Sequence, residues 1–190
     1  MSLFFCGFFV KKSGQSEDVL KAHFQTIWTT EGSEWWVCNW DRDYIDGVFE
    51  PDSSFTIEKS AALGDVLFLC MDTMNDQFEY EHSRDGELIR KLSWCTDGSE
   101  STWMTVDGEL EGWEKDSLFG ERNLVSTLEY LGYSIEDEPE EVQQTRQQEM
   151  KERFARFEYT IDSPWPRGDA YFALVAAKVW GIELPETFGS

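Results

Sequence analysis

The chain has 190 residues, 15% of them aromatic, and carries 38 Asp and Glu against 16 Lys and Arg, a formal net charge of -22. So many rings argue against wholesale disorder, and folding a chain of this length removes roughly 70% of its unfolded surface from water. The negative surplus repels phosphate backbones and anionic lipid surfaces, so no nucleic acid and no membrane are expected as partners, and a basic protein is the class it favours.

The N-terminal run from Leu3 to Val10 is continuously apolar and ends in Lys11-Lys12. That is the pattern of a strand buried on both faces, and its charges follow the apolar run rather than precede it, unlike a secretory signal. Ser16 offers a helix cap, and Val19, Leu20, Phe24, Ile27 and Trp28 recur at helical spacing, so a strand and an amphipathic helix are expected over residues 3–29. Residues 34–40 read as a ring-rich strand. Residues 41–63 have no clean period, apart from a short strand expected over residues 55–58, and make the longest irregular connection.

The organising stretch is residues 64–106. Short apolar or alternating runs there are separated by Asp85-Gly86 and Asp97-Gly98, and Asp-Gly pairs mark tight hairpins because glycine supplies positive φ. An antiparallel meander of about four strands follows. Alternation sets Phe78, Tyr80 and His82 on one face of it and Glu79 and Glu81 on the other, and one of the two faces is expected to be wet. A helix is expected over residues 121–131, with Leu124, Val125, Leu128 and Leu131 on its stripe and Gly132 as terminator. An acidic, exposed helical region is expected at about 134–158, opened by Pro139 and with Lys151, Arg153 and Arg156 at its far end. Residues 169–180 are apolar nearly all round and read as a buried C-terminal helix.

These elements give a single α+β domain over residues 1–190. Its sheet is mostly antiparallel, with about six strands, a central meander and helices packed mainly on one face.

Few motifs carry chemistry. Cys6, Cys38, Cys70 and Cys95 lie singly in apolar runs, which fits reduced core thiols and neither a zinc site nor a disulfide framework. Asp41, Asp43, Asp46 and Gly47 approximate a calcium loop, but the third acid and the glycine each fall one place late. Asp72, Asn75 and Asp76 make a second oxygen-rich turn. No phosphate-cradling glycine loop and no nucleophile elbow occurs, so no catalytic residue, cofactor or metal site is assigned. No motif names a family.

The charge is uneven: residues 96–141 hold fourteen acids and two bases. The reading is therefore a cytoplasmic, bacterial, acidic binding protein, one version being an immunity-type inhibitor that covers the cationic site of a basic toxin. The partner-binding patch would comprise Glu109, Glu111, Glu114, Glu136, Asp137, Glu138, Glu140 and Glu141. The alternatives are an enzyme with a site near residues 41–63 and His82, and an assembly component that uses exposed rings such as Trp35 or Trp113.

Overall fold

A computed structural model describes residues 4–13, 16–39, 54–97 and 100–168. The calcium-like loop over residues 41–47 and the C-terminal helix over residues 169–180 lie outside them. Seven strands form one open antiparallel sheet: β1 (Phe4–Lys11), β2 (Ile27–Trp28), β3 (Trp35–Asn39), β4 (Asp65–Asp72), β5 (Gln77–Arg84), β6 (Glu87–Asp97) and β7 (Glu100–Gly108). Their order across the sheet is β2-β3-β1-β4-β5-β6-β7. The helices are α1 (Glu17–Leu20), α2 (Ile57–Leu63), α3 (Gly112–Asp116), α4 (Glu121–Ser134) and α5 (Glu140–Ala155). This is the expected α+β fold, with the meander of β4 to β7 in place.

Apolar clusters cover both faces of the sheet. One holds Phe5, Phe9, Leu69, Phe78, Trp94 and Trp103 and extends to residues of α3, α4 and α5. The other holds Cys6, Phe8, Val66, Phe68 and Cys70, with Leu20 and Phe24 from the α1 region and Leu63 of α2. Trp94 and Trp103 are fully buried and meet edge to face at 5.1 Å. Burying each such side chain contributes about 1.5–3 kcal/mol. At the β7 edge, Asp162 donates its backbone N–H to the Trp103 carbonyl, and Trp103 donates to that of Ser163. That pairing covers part of an edge that would otherwise template aggregation.

Two bulges set which side chains share a face. The Asp85-Gly86 hairpin starts in register with Arg84 opposite Glu87, and the pairing then slips so that His82 faces Arg90 and Glu81 faces Lys91. Ile89 is the extra residue, and a one-residue slip moves everything beyond it to the other face. Gly108 completes this bulge: its φ is +84°, and a Cβ there would lie 2.0 Å from the Ile89 carbonyl oxygen, so only glycine fits. A second slip, with Met104 as the extra residue, sets Trp94 against Trp103.

Several local expectations give way to tertiary context. The helix expected over residues 16–29 stops at Leu20, and Ile27 and Trp28 pair with β3 instead. The β-branched and aromatic run Thr26-Ile27-Trp28-Thr29 suits a pleated ladder better than a helix. The strand expected over residues 55–58 is the start of α2, whose Ser-Ala-Ala-Leu sequence favours helix and which ends at Gly64 with φ +83°. Helix α4 runs through Gly132 to Ser134. It buries Asn123 and Thr127, while Val125 stays 51% exposed. Asn123 earns that place by donating Nδ2 to the carbonyls of Leu118, at 2.7 Å, and Arg167, at 2.8 Å. Helix α5 exposes most of its length and buries Met150 and Phe154.

Candidate functional site

Strand β5 deals its polar residues alternately to the two faces, and each set meets a different partner. On one face His82 lies between two carboxylates. Its Nε2 is 2.7 Å from Asp65 Oδ1, and its Nδ1 hydrogen-bonds Glu111 Oε1. Asp65 Oδ2 also accepts from Arg84 Nε at 3.1 Å and Nη2 at 2.9 Å. Glu111 Oε2 accepts from the Tyr80 hydroxyl and, at 2.9 Å, from Trp113 Nε1. Burial works against a charged His82, but the two acceptors outweigh it and raise its pKa to about 8. Burial likewise works against the Asp65 and Glu111 carboxylates, yet contact with His82 holds both below their usual range. The group is an imidazolium with both N–H bonds donated to carboxylates. Neither ring nitrogen is left to take a proton from a substrate.

Neither face of β5 is wet, against the expectation that one would be. Glu79, Glu81 and Ser93 are fully buried and Lys91 is 5% exposed, because α2 and the chain leading into it cover this side. Glu81 Oε1 accepts four hydrogen bonds, from Ser54 Oγ at 3.1 Å, Phe55 N at 2.9 Å, Thr56 N at 2.8 Å and Thr56 Oγ1 at 2.6 Å. Lys91 Nζ stands 3.6 Å from Glu79 and 3.8 Å from Glu81, one ammonium between two carboxyl groups. Neither oxygen of Glu79 is hydrogen-bonded among the described residues. Burial pushes its carboxyl up to about 8, against the pull of the facing Ser93 hydroxyl and of Lys91.

A third buried group closes the end of the first face. Arg90 donates Nε to Glu114 Oε1 at 2.9 Å and Nη2 to Glu114 Oε2 at 2.6 Å. Its Nη1 donates to the carbonyls of Asp107 at 3.2 Å and Gly108 at 2.9 Å. Glu114 also accepts from the Glu111 backbone N–H at 2.8 Å and the Tyr159 hydroxyl at 2.5 Å. Glu111 and Glu114 form the capping box that opens α3.

Of the eight acids expected to form a surface patch, two are therefore committed inside the fold. Glu114 is fully buried and the Glu111 side chain is 16% exposed. Glu109, Glu136, Asp137, Glu138, Glu140 and Glu141 are exposed. The elements named for the enzyme alternative are also separated. Ser54, Phe55 and Thr56 contact the Glu81 face of β5, and His82 lies on the opposite face. For the assembly alternative, Trp113 is 6% exposed and Trp35 is half-buried. In the oxygen-rich turn, Asp72 is engaged locally, accepting from the Met74 N–H at 2.8 Å and Asn75 Nδ2 at 2.7 Å.

Three comparisons belong beside this geometry. No protein-family model, no curated protein sequence and no solved structure matches the chain. Function therefore rests on the residues themselves. Among the described residues no group of three or more His, Cys, Asp or Glu is arranged to hold a metal ion, and no helix is long and apolar enough to cross a membrane.

Proposed function

We propose that the protein is a non-catalytic binding protein that engages a basic protein partner through the acidic junction between α4 and α5. The supporting observation is exposure without pairing: Glu136, Asp137, Glu138, Glu140 and Glu141 all face solvent, and none forms an ion pair among the described residues. Three of the chain's cations are engaged elsewhere, Arg84 with Asp65, Arg90 with Glu114 and Lys91 with Glu79 and Glu81. Five carboxylates within six residues repel one another and weaken the compact state, and a cationic surface laid against them relieves that repulsion. The role best matched to this is inhibition in the bacterial cytoplasm, with the acidic surface covering the cationic site of a toxin in the manner of an immunity protein. Charge of this kind speeds encounter and fixes orientation more than it adds affinity.

The test is capture of basic proteins from a lysate of the source cell by the immobilised chain. Capture is expected at about 0.1 M salt, where the screening length is about 10 Å, and loss near 1 M, where it is about 3 Å. A variant with the five junction carboxylates changed to Gln or Asn should capture none. Binding that ignores salt, or that survives this neutralisation, rejects the reading.

A further inference from the structure

A second surface feature has the opposite chemistry to the acidic junction. Between α5, the end of α4 and the chain that follows α5 lies a cleft of about 450 Å³, lined in part by Arg146, Arg153, Thr160, Ser163 and Trp165. Leu131 and Met150, both nearly buried, supply its apolar surface. Arg146 and Arg153 are seven residues apart on α5, two turns along one helix face and about 10 Å along its axis.

In a chain with 38 acids an arginine is normally claimed by one of them. Arg84, Arg90 and Arg156 each hold a carboxylate. Among the described residues neither Arg146 nor Arg153 forms an ion pair, although Glu149 also lines the cleft at helical spacing from both. Arg153 donates Nη1 to Thr160 Oγ1 at 2.5 Å, and Arg146 donates no hydrogen bond among the described residues. A guanidinium has five donors in a planar fork, so most of this donor capacity is open to solvent or to a bound anion. Two guanidinium groups face one carboxylate in the lining, and Glu158 outside it, held below its usual range chiefly by Arg156, also feels Arg153.

We propose that this cleft binds a small organic anion: an apolar or aromatic body bearing one carboxylate or phosphate. Arg146 and Arg153 take the anionic group in charge-assisted, bidentate geometry. The indole of Trp165 with Leu131 and Met150 takes the body, and the hydroxyls of Thr160 and Ser163 orient it. The cleft lies in the size range of small-molecule sites and is too large for an inorganic oxyanion alone.

The experiment is titration of the full-length, isotope-labelled chain, followed by amide chemical shifts. The probes are phenyl phosphate, phenylacetate, the neutral phenylacetamide and inorganic phosphate. Saturable shifts confined to residues near 131, 146–153 and 160–165 are expected with at least one of the two aromatic anions. The tighter of the two identifies the anionic group. Arg146→Gln, at an exposed position that leaves the rest of the spectrum unchanged, should weaken that binding about tenfold, the loss of one charge-assisted contact. Arg153→Gln should weaken it as well. The proposal is overturned if neither aromatic anion saturates, if phenylacetamide or inorganic phosphate binds as tightly as the better anion, or if Arg146→Gln leaves the affinity unchanged.

Discussion

Glu114→Ala should destabilise the fold by about 3–5 kcal/mol, the largest loss expected from any single change among the three buried ionic groups. The reason is asymmetry. In the intact protein the Arg90 guanidinium is out of water but has a bidentate carboxylate and two backbone carbonyls as acceptors. Removing Glu114 leaves a buried cation with no counter-charge, deprives the Tyr159 hydroxyl of its acceptor, and removes the side-chain cap from the Glu111 N–H that opens α3. Denaturant unfolding should show a lower midpoint at an unchanged slope. The same truncation at exposed Glu138 should stay within about 0.5 kcal/mol. Replacing the whole group with Arg90→Met, Glu114→Leu and Tyr159→Phe should be far milder than Glu114→Ala, because no charge is then stranded. A loss under about 1 kcal/mol for Glu114→Ala would mean that water reaches Arg90 and that the pair is not buried as described.

The meander was readable from the sequence because its information is local. Asp85-Gly86 sits where a tight turn needs positive φ, and its flanking residues Arg84 and Glu87 pair directly. What sequence could not supply is the register beyond the bulge. In an unbroken hairpin Glu81 would face Arg90 and Tyr80 would face Lys91. The extra residue at Ile89 instead sets Lys91 opposite Glu81 and Arg90 opposite His82, and every charge assignment follows from that slip. The burial of Glu79 and Glu81 was hidden for a related reason. Alternation says which residues share a face, but only the packing of α2 and Phe55 over that face decides whether it is dry. In α4 an apolar stripe alone does not mark the buried face, because Asn123 is buried where it ties two backbone carbonyls. At the candidate site the surplus of acids was visible by counting. That Glu111 and Glu114 are internal while residues 136–141 are exposed was not, although the spacing Glu-x-x-Glu ahead of a Trp-containing turn is a capping-box pattern that could have separated them.

The protein should lose stability as pH rises from about 6 to 9, against the usual rise above the acidic range, and Glu79→Gln should remove most of that loss. Glu79 has a carboxyl pKa raised from 4.5 to about 8, so the folded state holds a proton that the unfolded chain releases. Stability linked to it is fully present below about 4.5 and is lost as pH climbs through 8, because a group that binds its proton more tightly when folded favours folding at low pH. At 1.36 kcal/mol per unit the loss is on the order of 3–5 kcal/mol at pH 8. The geometry agrees in sign. With Lys91 shared, two ionised carboxylates leave a net negative charge in the core, and Glu81, with its four hydrogen bonds, is the better-solvated anion of the two. His82 adds to the same trend: with its pKa raised from 6.5 to about 8, its contribution of ~2 kcal/mol is complete below 6.5 and fades as pH passes 8. Asp65 and Glu111 act at the other end, since depressed carboxyl pKa values support the fold above about 4 and lose that effect as pH falls. Maximum stability is therefore expected at about pH 4.5–5. Urea midpoints at pH 5.5, 7 and 8.5 measure this directly. Glu79→Gln, which mimics the protonated acid, should exceed the parent by about 1 kcal/mol at pH 5.5 and by several kcal/mol at 8.5, keeping only the shallow slope due to His82. A parent midpoint that climbs between pH 6 and 8.5, or a variant as pH-sensitive as the parent, would mean that Glu79 is ionised and solvated, and that the second face of the sheet is open to water after all.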